Sequence, residues 1–216
     1  MATDVNVLKS PPTGYGGFVR RLCSFILRRT GWSYELKFPD SPKFIIVGAP
    51  HTSNWDWILM FLITRAADLR FHWVAKDSFF RPPLGLLARR LGGIAIDRSK
   101  RNNFVQQVTD IFKAASELIL IIAPEGTRSK TKYWKSGFYH IAHGAGIPIA
   151  LGGIDYPSRT VMINSWFLPT GNISADMDIV RAFYAGKSGK FPEQQCEPRL
   201  SVEIEQEKPG EIAAAG

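Results

Sequence analysis

Phe44-Ile45-Ile46-Val47-Gly48-Ala49 is followed by Pro50, by His51-Thr52-Ser53-Asn54-Trp55-Asp56, and then by Trp57-Ile58-Leu59-Met60-Phe61-Leu62-Ile63. The first run is short, apolar and β-branched, the pattern of a buried strand. The last run is longer and suits a helix. His51 therefore falls in a strand-to-helix loop, with Ser53 or Asn54 as the helix cap and Asp56 in the first turn. A spacing of five does not put two side chains on one helical face. His51 and Asp56 meet only if the loop curls back. A carboxylate on one ring nitrogen then fixes the tautomer and stabilises the imidazolium, which makes the histidine a general base near neutral pH. No serine or cysteine nucleophile is needed if the substrate supplies the hydroxyl. Taken alone, H-x-x-x-x-D is a weak pattern, equally that of a capped loop with an incidental histidine.

A second stretch adds to it. Ala123-Pro124-Glu125-Gly126-Thr127-Arg128 follows Leu118-Ile119-Leu120-Ile121-Ile122, another buried-strand run. With both stretches in view, the sequence resembles the glycerolipid acyltransferases, which acylate glycerol 3-phosphate and lysophosphatidic acid. That family carries H-x-x-x-x-D, a G…R block, P-E-G-T-R and a proline-containing apolar block, in that order. The matching blocks are His51 to Asp56, Gly92 to Arg98, Pro124 to Arg128, and Gly146 to Ala150, with Ala95 where the family usually has Phe. The resemblance spans residues 44 to 155. It implies a central mixed β-sheet flanked by helices. It also implies His51 as base oriented by Asp56, and acceptor binding by Lys76, Arg98, Glu125, Gly126, Thr127 and Arg128.

Composition narrows the classes. The chain has 216 residues, 45% of them hydrophobic, enough for one domain with a sizeable core. Its formal net charge of +8 suits an anionic partner. No zinc-finger spacing or RNP-like aromatic block points to nucleic acid, so a membrane surface or a phosphate group is the better reading. Two distant cysteines, Cys23 and Cys196, build neither a disulfide framework nor a zinc site. A reducing cytosol is the default compartment. No apolar run approaches the ~18 residues of a spanning helix, and no cleavable signal is apparent. An enzyme of lipids with this sequence is expected at the inner face of a membrane, peripheral rather than spanning.

Along the chain, residues 1–31 read as a mobile start followed by an amphipathic helix over 17–31. Phe18, Leu22, Phe25 and Ile26 make its apolar face, widened by Val19 and Cys23, with Arg20, Arg21 and Arg28 opposite. Such a helix suits an anionic membrane surface, or is simply packed with its arginines in solvent. Residues 32–185 are the expected acyltransferase domain. Strands are expected over 34–38, 44–49, 70–75, 94–97, 118–122, 147–154 and 160–167. Helices are expected after Asp56, over 79–91, from Asn102 or Asn103 to Glu117, over 136–146, and over 176–185 with Ser174 as cap. Strand–helix alternation argues an α/β layered fold. Trp55 and Trp57 suit core or an acyl path. His140 and His143 lie at i, i+3, too few ligands for a metal. Residues 186–216 read as a polar, acidic tail with an edge strand over 200–204.

The expected reaction is O-acyl transfer from acyl-CoA or an acyl carrier protein thioester to a lysophospholipid hydroxyl, with no metal or bound cofactor. The expected partners are the lysophospholipid acceptor, the thioester and an anionic membrane surface. Oxyanion donors are sought among backbone N–H groups of the His51 loop or Gly126. A thioester or lipid hydrolase, or a silent lipid-binding module, are the alternative classes. The absence of a G-x-S-x-G elbow argues against the commonest lipase route.

Overall fold

In the computed structural model, which describes residues 16–83, 85–96 and 103–203, the apolar run before His51 forms strand β2 (Lys43–Ala49). It runs parallel to its neighbours β5 (Leu118–Ile122) and β6 (Ile149–Asp155). β6 turns back antiparallel into β7 (Thr160–Phe167), and β1 (Ser33–Leu36) closes that edge parallel to β7. The sheet order is β1-β7-β6-β2-β5. A parallel pair, β3 (Trp73–Lys76) and β4 (Gly93–Ile96), adjoins β5 through a bridge between His72 and Leu120. The fold is α/β, as the strand–helix alternation argued, with the mixed central sheet flanked by helices that the resemblance implied.

The side-chain alternation of β2 shows how the layers form. Ile45, Val47 and Ala49 face a core built with α4 (Asn103–Ala114), α5 (Gly137–Ala145) and α6 (Ile173–Tyr184). Phe44 and Ile46 face the other core, built with α1 (Gly17–Arg29) and α2 (Trp55–Ala66). All five are at most 2% exposed. Burying each large one is worth about 1.5–3 kcal/mol, so the strand is held from both faces. On α4, Val108 and Phe112 are buried and Phe104, Val105 and Ile111 pack beside them. Lys43 Nζ donates to Phe112 O and Ala115 O, each at 3.0 Å, capping the end of that helix.

Several expectations change. α1 buries Cys23 and Leu27, while Phe18, Leu22 and Phe25 are 76%, 45% and 54% exposed. The apolar arc is wider than one packing partner needs, so one half docks on α2 and the other half faces outward. Trp55 and Trp57 are both exposed rather than core, and Trp57 lines the cavity described below. The cap of α6 is Asn172, which accepts from Ala175 N at 3.2 Å, not Ser174. The segment from 186 is no free tail as far as Glu203. Cys196 and Leu200 are buried, Leu200 bridges to Trp134, and Glu203 pairs with Arg181 at 2.7 Å. Sparse apolar residues there are enough because each enters a gap between elements already formed. Ser201–Glu203 is a helical turn where an edge strand was expected, and Ile204 lies outside the described residues.

Candidate active site

The loops after β2 and β5 leave adjacent parallel strands at their C-terminal ends, the position where α/β sheets build sites. The β2 loop curls as the chemistry requires. His51 Nδ1 lies 3.0 Å from Asp56 Oδ2. The same oxygen accepts Thr52 N at 3.0 Å and Ser53 N at 2.9 Å. Ser53 Oγ accepts from Trp55 N at 3.2 Å. Ser53, one of the two expected caps, thus bonds the first amide of α2, and Asp56, 4% exposed, ties the loop back to that turn, where a carboxylate suits the helix dipole. Because Oδ2 is an acceptor, Nδ1 carries the proton and Nε2 is left with its lone pair free to accept one.

One partner was not legible in the sequence. Tyr156, just beyond β6, donates its hydroxyl to Asp56 Oδ1 at 2.6 Å. Burial first, then this bond and the Asp56 charge, push its pKa up, so it stays a donor. Its ring stands edge-on to Trp32, at 5.1 Å between centroids, next to the end of α1. No local pattern marks Tyr156, since it lies 100 positions from Asp56.

The β5 turn joins the loop through Glu125, whose Oε2 accepts from His51 N at 2.8 Å. Glu125 is 2% exposed and is not on the cavity wall described below, so it holds the loop from behind. Burial pushes its carboxyl up to about 7, against the opposing effect of the His51 N–H bond. Oε1 is buried with no hydrogen-bond partner among the described residues. Such a carboxyl binds its proton more tightly folded than unfolded between 4.5 and about 7. Its contribution to stability is complete below 4.5 and is lost as pH rises through about 7. Glu125→Gln keeps an acceptor for His51 N and does not titrate. The wild-type Tm is expected to fall relative to the variant across that window. Parallel Tm curves would contradict the buried, protonated state.

His51 and Asp56 open on a cavity of about 1090 Å³. Its walls are mostly apolar, from α2 (Trp57, Met60, Ile63), from the sheet (Leu36, Ile46, Ile163) and from the α3 (Gly85–Arg90) side (Phe79, Leu87, Leu91). Gly48 and Gly152, paired in register, leave part of the sheet wall without side chains. Gly126, Thr127, Arg128 and Lys135 supply the polar end. Gly126 has φ +67°, and a Cβ there would come 2.7 Å from the end of the Lys135 side chain. Glycine thus admits a cation over the turn. Arg128 donates to Asn54 Oδ1, linking the two motifs at the surface.

The remaining expected residues divide. Lys76 is exposed at the end of β3 and is not on the cavity wall. Pairing of this ribbon with β5 is at His72, and β3 then follows β4. Lys135, seven positions beyond Arg128, takes a place at the wall instead. Arg98 lies outside the described residues, as do Asp97 and Leu84. The amides proposed as oxyanion donors are engaged internally: His51 N by Glu125, Thr52 N and Ser53 N by Asp56, and Gly126 N by Ala123 O at 3.2 Å. His140 and His143 are exposed, and no metal-holding group of three or more His, Cys, Asp or Glu occurs among the described residues.

Fold and site together define an α/β domain with a carboxylate-held histidine over a large apolar cavity with a cationic end. The model of the Acyltransferase family matches residues 34–150, more than half of the chain. The chain belongs to that family. It is 31% identical over 103 residues to the mouse (Mus musculus) 1-acyl-sn-glycerol-3-phosphate acyltransferase epsilon, covering 45% of this chain and 28% of that one. It is 25% identical over 159 residues to the 1-acyl-sn-glycerol-3-phosphate acyltransferase of Haemophilus influenzae, covering 69% of this chain and 65% of that one. The chain therefore spans less than two thirds of either relative. Among solved structures, the 1-acyl-sn-glycerophosphate (LPA) acyltransferase PlsC of Thermotoga maritima superposes with TM-score 0.55. The match has 15% identity and covers 79% of this chain and 77% of that one, a likeness of fold.

Proposed function

We propose that the protein transfers a fatty acyl group from an acyl-CoA or acyl carrier protein thioester to the hydroxyl of a lysophospholipid of the 1-acylglycerol 3-phosphate type. The observation that carries this reading is the His51–Asp56 pair at the mouth of an apolar cavity with Arg128 at its polar end. At about 1090 Å³ the cavity is slightly larger than the ~300–1,000 Å³ typical of one small ligand, which suits a reaction with two substrates. His51 Nε2 takes the acceptor hydroxyl proton as that oxygen attacks the thioester carbonyl. The tetrahedral intermediate collapses to the ester, and the thiolate leaves with the proton returned by His51. Asp56 opposes the imidazolium through the middle of this sequence.

Arg128, with Lys135 beside it, holds the acceptor phosphate in this reading. A guanidinium binds phosphate through two donors at once, and an ammonium acts as a point charge. The test is steady-state kinetics with each substrate varied in turn, together with the thioester incubated without acceptor. Arg128→Ala is expected to raise the acceptor KM about 10-fold or more, the scale of a lost charge-assisted pair, with little change in thioester KM. Arg128→Lys should recover only part of it. The reverse pattern would move the cation to the donor's phosphate. Thioester cleavage at the full rate without acceptor would make the protein a hydrolase.

The family relatives act on lipids by name, and no helix among the described residues is long and apolar enough to cross a membrane. A peripheral seat on an anionic surface fits the exposed Phe18, Leu22 and Phe25, on a helix carrying Arg20, Arg21, Arg28 and Arg29. Co-sedimentation with vesicles containing an anionic lipid is expected to weaken with salt, since charges are screened over ~10 Å at 0.1 M. Exchange of the three apolar residues for serine is expected to abolish binding at every salt concentration. Retained binding by that variant would rule out α1 as the anchor.

A further inference from the structure

The segment after α6 touches both motif loops, although it lies outside the residues matched by the family model. Ser188 begins the contact. Its amide donates to Asp155 Oδ1 at 3.0 Å, and its carbonyl accepts from Tyr156 N at 2.9 Å. The chain then passes over the His51 loop. Phe191 N donates to Thr52 Oγ1 at 3.2 Å. Gly189 lies so close that a Cβ there would come 2.7 Å from the same oxygen and 3.3 Å from Pro50. Gln195 braces the bend from within, accepting from Gly189 N at 3.1 Å and donating to Lys187 O at 2.9 Å. Cys196 Sγ accepts from Thr131 N at 3.0 Å, three residues past Arg128.

Gln194 is the member that spans the site. Its half-buried amide faces two carbonyls, Arg128 O at 2.7 Å and Thr52 O at 3.3 Å, and two acceptors require the amide to be oriented with its nitrogen towards them, donating to both. One side chain thus holds the backbone of the catalytic loop to the backbone of the cation-bearing turn. Glu125 makes the corresponding link on the inner side, through His51 N. The sheet fixes the ends of the adjacent strands β2 and β5 as far as the Val47–Ile122 pair, and beyond it the spacing of the two loops rests on links of this kind.

We propose that Gly186–Cys196 is a clamp that sets the spacing of the two motif loops, with Gln194 as its positioning residue. The clamp acts on geometry and does not touch substrate. Its kinetic signature follows from the reading of His51 as base and Arg128 as phosphate ligand. A loosened clamp misplaces the acceptor hydroxyl relative to Nε2, which lowers kcat and leaves the thioester KM unchanged.

The experiment compares Gln194→Met, which keeps the volume and loses the donor, with Gln194→Lys, which keeps a donor. Gln194→Met is expected to lose about ten-fold in kcat with a Tm within a few degrees of wild type, from two missing hydrogen bonds. Its amide hydrogen exchange is expected to quicken over residues 50–57 and 124–131 together. Gln194→Lys should return to within about three-fold of wild type, since an ammonium supplies the same donors. Gly189→Ala, whose Cβ would push the segment and its Phe191 N–H off Thr52 Oγ1 while leaving Gln194 unchanged, should reproduce the loss. Wild-type kcat and unchanged exchange in Gln194→Met would overturn the clamp, as would Gln194→Lys no better than Met. The exchange readout separates this from the functional reading. Quickened exchange with an inactive wild type would leave the clamp standing and remove the proposed reaction.

Discussion

His51→Ala is expected to lower acyl transfer by roughly 10²–10⁴-fold or more with the fold intact, because it removes the imidazole proposed to take the acceptor hydroxyl proton. The side chain is 19% exposed, and apart from Asp56 it has no hydrogen-bond partner in the loop. Its backbone N–H, which Glu125 accepts, survives the substitution. Thermal unfolding should therefore show little change while turnover collapses. The measurement is single-turnover transfer from a labelled thioester to a lysophospholipid, with Tm recorded on the same preparation. Near-native turnover by a folded His51→Ala protein would remove the general-base mechanism.

The second large effect is at Asp56, and there rate and stability separate by substitution. Four donors converge on this carboxylate: His51 Nδ1, Thr52 N, Ser53 N and Tyr156 Oη. In Asp56→Asn the three donors at the Oδ2 position hold the amide oxygen there, and the Tyr156 hydroxyl turns to accept from the amide nitrogen. The loop and the tautomer are kept, and the negative charge opposite the imidazolium is lost. A rate loss of roughly 10²–10⁴-fold is expected with a small change in Tm. Asp56→Ala removes the acceptor altogether. Each buried donor left unpaired costs about 1–3 kcal/mol, so this variant should lose both rate and several degrees of Tm. An Asp56→Asn enzyme with wild-type kcat would show that the charge has no part in the reaction.

Tyr156 lies between Trp32, just past the end of α1, and the Asp56 carboxylate, and neither the helix pattern nor H-x-x-x-x-D includes it.

Much of the architecture was legible in one dimension. Runs such as Phe44–Ala49 and Leu118–Ile122 are apolar at every position because their strands are covered on both faces. The 3.6-residue repeat of Phe104, Val105, Val108, Ile111 and Phe112 marks α4, and H-x-x-x-x-D and P-E-G-T-R mark the two loops that meet. Periodicity and motif spacing are local quantities, set by backbone geometry within a few residues. What they leave open are pairings made where loops from different strands come together. Tyr156 on Asp56, Lys135 rather than Lys76 at the cavity wall, and Gln194 across Thr52 and Arg128 are of that kind. Each is one hydrogen bond or one charge, too small to imprint a pattern on the sequence. Each is decided by strand order, which brings the C-terminal ends of β2, β5 and β6 to a single edge. The packing of residues 186–203 belongs with them, because three buried side chains, Cys196, Leu200 and the ion-paired Glu203, help seat a stretch whose composition is that of a solvated tail.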